Sequence, residues 1–553
     1  MNKKNFNKLY IVIFLTTVIM FTGVTVTGDD DIYEKINRNM DLFGQVYKEI
    51  ALNYVDEIDA DKFITAGIEG MLATLDPYTN YIDESSRDQI DLITTGKYGG
   101  VGITVSFKDS SIFITEIMNG YEAEKKGLRV GDKIVEINGV DMRNSKSETT
   151  KGLVRGPVGS EVNVKIERDG SVIDFNLVRE EIKLKNVSYF GYLEPKNQGI
   201  GYIKLDRFTS ISESEFENSL KTLKSGGDLK GLVIDLRDNG GGLLDAAIGI
   251  LNKLVPKNSL LLITKGKRAD SEKKYFSKEE PMISPDVSIA VLVNSRTASA
   301  SEIVSGAIQD LDRGVIVGTK SFGKGLVQQV KELDKKAQLK ITGSKYYTPS
   351  GRWIQEKNYF KENKYGVFVD KDKYEQTDFK TLDGRIVKAY GGIEPDVEIK
   401  IEVGSEIYKG LLSKDMFFKF ADNYIAKNPG IKSVTGDDEI FNQFKIFISE
   451  NNFSYDSQIE KKLKEIEELS AGKNYKSDIE SSINKIAVLV ESDESKEIDQ
   501  AKTEIIQSIL REINKRIITE SEQIEVTFAF DIQLQKAIEV LENNNEYNRL
   551  LGK

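Results

Sequence analysis

Residues 289–310 read I-A-V-L-V-N-S-R-T-A-S-A-S-E-I-V-S-G-A-I-Q-D, and more of the fold follows from this stretch than from any other. Ile289 to Val293 is an unbroken apolar run of strand length, Ala298 to Asp310 has the spacing of a helix, and a small-residue turn joins them. The first backbone N–H groups of such a helix have no partner inside it, so the turn around Ser299 and Ala300 presents donors suited to an oxyanion. The same texture recurs on both sides. Upstream, the strand candidate Gly231 to Leu236 runs through Asp235-Leu236-Arg237-Asp238-Asn239-Gly240-Gly241-Gly242 into a helical stretch from Leu243 to Leu254. Downstream, Val315 to Gly318 leads to Ser321-Phe322-Gly323-Lys324-Gly325, a lysine between two glycines that let the backbone approach closely. With a strand at Gly199 to Leu205 and a helix at Ser212 to Leu223, the segment from about Asn186 to Ile401 reads as a layered α/β core. The spacing of a phosphate-binding loop is absent around Lys324.

With 553 residues, 39% hydrophobic and 30% charged, the chain has apolar material for several cores, and about 150 residues per domain implies three to four. A net charge of −11 speaks against nucleic-acid binding. Histidine and cysteine are both absent. That excludes disulfides, thiol nucleophiles, Cys/His metal sites and a histidine base, so any hydrolytic base must be Lys, Asp, Glu or Tyr. Lys3, Lys4 and Lys8 precede a largely apolar run from Leu9 to Val26, which reads as an export signal over residues 1–28 and serves equally as a cleaved leader or a membrane anchor. The flanking positive charge places the bulk of the chain outside the cytoplasm, in the periplasm or cell envelope, secreted or tethered by its N-terminus.

Residues 29–90 form an N-terminal helical region. Ile32, Ile36, Met40, Phe43, Val46, Tyr47 and Ile50 mark one amphipathic helix, and a second, from Asp61 to Leu75, stops at Leu75-Asp76-Pro77-Tyr78. In residues 91–182 the texture changes to short strands with glycine turns: Val101 to Phe107, Ile112 to Ile117, Lys133 to Ile137, Val162 to Ile166 and Ile173 to Leu177. Helical turns are expected at Tyr121 to Gly127 and Ser145 to Leu153. Tyr98-Gly99-Gly100-Val101-Gly102-Ile103, Ala123 to Leu128 and Gly131 to Gly139 together resemble a PDZ domain. The resemblance implies capture of a free peptide C-terminus by strand addition, with the carboxylate at the Gly100-Val101-Gly102 backbone and Val101, Ile103 and Leu128 as pocket candidates; for Ile103 and Leu128 a plain core role stands beside this.

Taken in order, LDPY at Leu75 to Tyr78, the PDZ segment, RDNGGG, TASASEI, FGKG, Gln328, YYTPSGRWIQ at Tyr346 to Gln355 and GIEPDVEI at Gly392 to Ile399 resemble the C-terminal processing peptidases. The likeness covers roughly residues 40 to 400. It implies an α/β protease core of crotonase/ClpP-like fold over 183–402 with the PDZ domain inserted before it, acting on protein or peptide substrates with free C-termini and using no cofactor and no metal. Carried over, Ser299 is the nucleophile, Lys324 the general base and Gln328 the residue that orients the lysine. Ala300 and Gly241 are the oxyanion donors, with the register inside Gly240 to Gly242 left open. Thr297 stands where the family motif begins with serine. Arg155, near the end of the groove helix, is a regulatory candidate or a plain turn arginine. Glu302 reads as compensation of the first-turn helix dipole.

Residues 403–553 form a C-terminal helical extension, marked by Ile459, Leu463, Ile466 and Leu469 and by Ile505, Ile509, Ile513 and Ile517, with a short strand expected at Val526 to Phe530. An ordinary packing domain and a homo-oligomerisation arm both fit it. Two competing function classes are a silent PDZ scaffold, which has no use for Ser299, Lys324 and Gln328 at these spacings, and a crotonase-like acyl-transfer enzyme, which needs neither a PDZ domain nor an export signal.

Overall fold

The computed structural model describes residues 29–83, 92–108, 111–143, 153–168, 170–194, 199–334, 337–357, 359, 367, 377–400, 404–455, 457–470 and 476–553. The export segment 1–28 and nearly all of the helix expected at Ser145 to Leu153 lie outside them. The chain divides into two units, the first being residues 1–81 with 363–367. In it, α1 (Asp29–Asn53) and α2 (Ala60–Leu72) follow the apolar periodicity, and Asp59 caps α2 by accepting from the Asp61 and Lys62 N–H groups. Tyr47 of α1 stacks on Phe63 of α2 with ring centroids 5.7 Å apart.

In the second unit the PDZ segment begins with β1 (Lys97–Gly100) and continues through β2 (Ile103–Lys108), β3 (Ser111–Ile117), α3 (Glu122–Lys126), β4 (Lys133–Ile137), β5 (Glu161–Arg168), β6 (Ser171–Val178) and β7 (Glu180–Lys183). The main sheet runs β2-β3-β4-β5-β6, so β2 is an edge strand, while β1 pairs with β7 from Lys97↔Lys183 to Gly100↔Glu180. The segment thus starts and ends on one two-stranded ribbon, as an insertion should.

The core sheet is built from β8 (Val187–Tyr192), β9 (Ile200–Leu205), β10 (Gly231–Asp235), β13 (Ser288–Val293), β14 (Val315–Gly318) and β17 (Val397–Glu398), in that spatial order and parallel from β9 onward. Helices α4 (Ser212–Gly226), α5 (Leu244–Asn252) and α6 (Ala300–Asp310) supply the crossovers. Successive strand residues alternate between the two faces: Leu232 and Ile234 pack with Phe216, Leu220 and Ile250, whereas Val233, Ala290 and Leu292 pack with residues from the far end of the chain. A sheet covered on both faces explains why its central strands read as unbroken apolar runs. A second sheet pairs the hairpin β15 (Leu326–Glu332) and β16 (Gln338–Tyr347) with β11 (Leu260–Gly266) and β12 (Lys273–Phe276).

After the core come α7 (Glu406–Ser413), α8 (Met416–Lys427), α9 (Asp438–Glu450), α10 (Gln458–Ser470), α11 (Lys476–Gln500), α12 (Lys502–Ile517), α13 (Glu520–Glu525), α14 (Ile532–Glu542) and α15 (Asn544–Leu550). The strand expected at Val526 to Phe530 is not formed: α13 ends there and Phe528–Phe530 is a single 3-10 turn. The reason is local, because Thr519 and Glu522 form a capping box before it and Asp531 caps α14 after it, leaving too few free residues for an extended run. The last two helices cover the open face of the core sheet. Leu534, Ala537, Val540, Leu541, Tyr547 and Leu551 pack on Tyr202, Val233, Leu292, Val315 and Val317. Leu534 is fully buried, so Leu534→Ala should destabilise the protease core by about 2–5 kcal/mol, read as a loss in denaturant-unfolding free energy followed through core tyrosines.

Candidate active site

β13 ends at Val293, and the following turn is held by Thr297, whose hydroxyl donates to Leu236 O (2.8 Å) and accepts from the Asn294 N–H (2.9 Å). Only the hydroxyl is used, which is why threonine serves where the family motif has serine. Ser299 then adopts φ 57°, ψ −115°, a conformation that ordinary side chains avoid, and α6 begins at Ala300. A nucleophile on such a sharp strand-to-helix turn has its side chain thrust forward and the next N–H beside it.

The glycine turn leans on this elbow. Asn239, fully buried, accepts the Ala298 N–H (3.0 Å) and the Ser301 hydroxyl (2.9 Å) at its carbonyl, and its side chain donates to Leu205 O (2.7 Å). Gly241 has φ +94°, and a Cβ there would lie 2.6 Å from Ala298 O and 2.8 Å from Ala300 N. No other residue fits. The Gly241 N–H, expected as an oxyanion donor, donates in this conformation to Asn239 Oδ1 (2.9 Å).

The lysine loop reaches the elbow through Glu302. One carboxylate oxygen accepts from the Ser321 hydroxyl and the Gly323 N–H (both 2.6 Å), the other from the Ser299 N–H (2.8 Å) and the Lys324 N–H (2.9 Å). Glu302 is fully buried; burial pushes its pKa up, against the pull of those four donors. The dipole role expected from sequence is therefore only part of its work. The Ser299-x-x-Glu302 spacing of a capping box was the available signal, but the partners at Ser321, Gly323 and Lys324 come from another loop. That loop is fixed from behind: Gly325 N–H donates to Gln355 Oε1 (2.8 Å), Gly325 O accepts from Trp353 Nε1 (2.8 Å), and the Tyr346 hydroxyl donates to Ser299 O (3.2 Å).

Ser299 and Lys324 are half-buried, and Gln328, on β15, donates its side-chain N–H to Thr342 Oγ1 (3.2 Å). Ser299, Ala300, Gly241 and the Lys324 loop therefore meet at the carboxyl ends of β10, β13 and β14. The peptide-binding candidates sit apart, on the PDZ segment. Val101 and Leu128 are buried in its core, and Ile103 is half-buried against that core at the start of the edge strand. Gly100 and Gly102 flank Val101, and the Arg155 guanidinium lies 4.5 Å from the Tyr98 ring centroid at the same glycine loop.

The sequence of this chain matches the profile of Peptidase family S41 over residues 199–367 and that of the PDZ domain over 89–167. It also matches the activating protease CtpB N-terminal domain over 20–86 and the C-terminal helical domain of probable PDZ-proteases over 407–541. It is 35% identical over 345 residues to the carboxy-terminal-processing protease of Bartonella bacilliformis, covering 61% of this chain and 76% of that one. The chain belongs to the carboxy-terminal processing protease family. Similar are CtpA of Bacillus subtilis, 31% identical (63% of this chain, 75% of the relative), and a probable CtpA-like serine protease of Staphylococcus aureus, 32% identical (66% and 73%). The protease is of the serine type, and its PDZ domain is of the class that takes peptide C-termini.

In this protease, Glu302→Gln should be far from conservative. An amide would set its NH2 group against two N–H or O–H donors, each unsatisfied one costing about 1–3 kcal/mol, and displace Ser299 from the lysine loop. A fall in kcat of about 100-fold, with a lowered Tm, is expected in steady-state cleavage assays and thermal melts.

Proposed function

We propose that the protease cleaves exported proteins whose free C-termini are held by its PDZ domain, using Ser299 as nucleophile and Lys324 as base. The observation that carries this is the shared Glu302 carboxylate, which ties the Ser299 and Lys324 backbones to one anchor. An amine titrating near 10.4 must be depressed by about three units to act as a base near neutrality, which corresponds to about 4 kcal/mol of disfavoured charge. Partial burial within the glycine loop works in that direction.

Neutral Lys324 Nζ takes the proton from Ser299 Oγ as Oγ bonds to the scissile carbonyl carbon. The resulting oxyanion is met by the Ala300 N–H at the start of α6 and by the Gly241 N–H, shared with Asn239 Oδ1 in a three-centre arrangement. The carbon–nitrogen bond then breaks, Lys324 returns its proton to the leaving amine, and the acyl group stays on Ser299. Water, deprotonated by Lys324, attacks the ester, and Oγ leaves and regains the proton. Gln328 offers its carbonyl oxygen to the lysine, orienting the amine without the charge that would raise its pKa.

On the PDZ domain, the substrate tail adds to the free edge of β2, with its carboxylate at the Gly100, Val101 and Gly102 backbone and its last side chain against Ile103. Arg155 joins this loop to the helix end through the Tyr98 ring and reports an occupied groove. The lysine-flanked apolar run Leu9 to Val26 supports export of the chain.

The protein should cleave an unstructured protein ending in an apolar residue, and amidation of that tail should weaken cleavage. Ser299→Ala and Lys324→Ala should abolish it, and Arg155→Ala should remove the difference between free and amidated tails. Undiminished cleavage by Ser299→Ala or Lys324→Ala, followed by gel and mass spectrometry of the fragments, would reject the catalytic assignment.

A further inference from the structure

We infer that Asp531, close to the C-terminus, is a positioning residue for the reaction, acting through Arg237 on the glycine turn beside Ser299. The inference rests on the reading of Ser299, Ala300 and Gly241 given above.

β10 ends at Asp235, and Arg237 is the last residue before the turn Asp238-Asn239-Gly240-Gly241-Gly242. Its guanidinium is largely buried and gripped from two sides. Asp531 takes it in a bidentate pair, Nη1 to Oδ1 at 2.9 Å and Nη2 to Oδ2 at 2.6 Å. Asp235 takes Nε at 3.0 Å and Nη2 at 2.6 Å. Each carboxylate is itself fixed: Asp235 accepts the Tyr202 hydroxyl at 2.7 Å, and Asp531 caps α14 by accepting the Leu534 N–H at 3.0 Å. Gln533, 1% exposed, accepts Arg237 Nη1 at 3.2 Å and donates to Ile399 O at 2.9 Å, which ties the clamp to the end of the core sheet.

From this anchor the turn reaches across to the nucleophile. Asp238, at φ +64°, donates its N–H to Asn294 Oδ1 (3.1 Å) and accepts from Arg296 Nε (2.6 Å), both on the strand-to-helix turn that ends in Ser299. Asn239 and Gly241 follow, in contact with Ala298 and Ala300. The turn is thus suspended between the C-terminal clamp and the elbow, and bidentate arginine–carboxylate geometry fixes direction as well as distance. Stability alone does not call for a charge here. The apolar face of α14 already secures that helix, and buried ion pairs add little net stability compared with apolar packing. What the pair does supply is a fixed angle for the strand end that carries the oxyanion turn.

The test uses the full chain with an unstructured protein substrate ending in an apolar residue, comparing Asp531→Ala, Asp531→Asn and Asp531→Glu with Ser299→Ala and with Glu542→Ala, an exposed position on the same helix. Loss of the clamp should lower kcat about 10- to 100-fold in the Ala and Asn variants while KM stays within about twofold, since the turn acts on the oxyanion rather than on tail binding. Asp531→Glu should recover part of kcat, and Glu542→Ala should match wild type. If Asp531→Ala does not fold by circular dichroism, the isosteric Asp531→Asn carries the same comparison. A folded variant with wild-type kcat, whatever its Tm, or a change in KM alone, overturns the inference. Cleavage by Ser299→Ala would instead reject the site reading beneath it, so the two failures are distinguishable.

Discussion

One buried carboxylate ties the Ser299 turn to the Lys324 loop. Glu302 accepts from four hydrogen-bond donors, three of them backbone N–H groups from two separate loops. A backbone donor cannot swing away as a side chain can, so three of the four bonds fix main-chain positions rather than rotamers. The strained conformation at Ser299 persists because its own N–H is one of the four. The elbow and the lysine loop leave different strands of the sheet, and this common acceptor, together with the Phe322 N–H donating to Thr297 O (3.0 Å), registers one against the other.

That register presupposes strand ends that do not move. The parallel core sheet provides them because both of its faces are covered, one by α4, α5 and α6 and the other by α14 and α15. Sites in open α/β sheets form outside the carboxyl ends of the strands, and here the ends of β10, β13 and β14 deliver the glycine turn, the Ser299 elbow and the lysine loop in turn. The PDZ domain is braced from another quarter. Phe113 on β3 meets Phe418 of α8 edge-on at 5.5 Å, and Arg516 lies over the same Phe418 ring at 4.8 Å while pairing with Asp422. The helical region thus contacts the domain on β3, the neighbour of edge strand β2.

The sequence made the central strands and crossovers legible because an apolar run covered on both faces, a helical period and a glycine turn are all local signals. The elbow and the lysine loop were legible for the same reason. β12 and the β15–β16 hairpin were not, since their residues are largely exposed or half-exposed and carry lysines, threonines and glutamines without clean alternation. Val526 to Phe530 looks extended by composition, yet the caps at Thr519 and Asp531 decide for helix on either side. The pairing of Arg237 with Asp531, 294 residues apart, leaves no trace in either neighbourhood. The engagement of the Gly241 N–H by Asn239 was likewise invisible, because a triple glycine does not reveal which of its donors a neighbouring side chain will take.

The covering of the core sheet by α14 and α15 also bears on timing. Val233, Leu292 and Val317 share their cluster with Leu534, Ala537, Val540, Leu541, Tyr547 and Leu551, so during synthesis this face of the sheet is not fully covered until residues 534–551 have been made. The core sheet is consequently completed late, and a still-emerging chain carries the Ser299 turn before the helices that cover the sheet behind it.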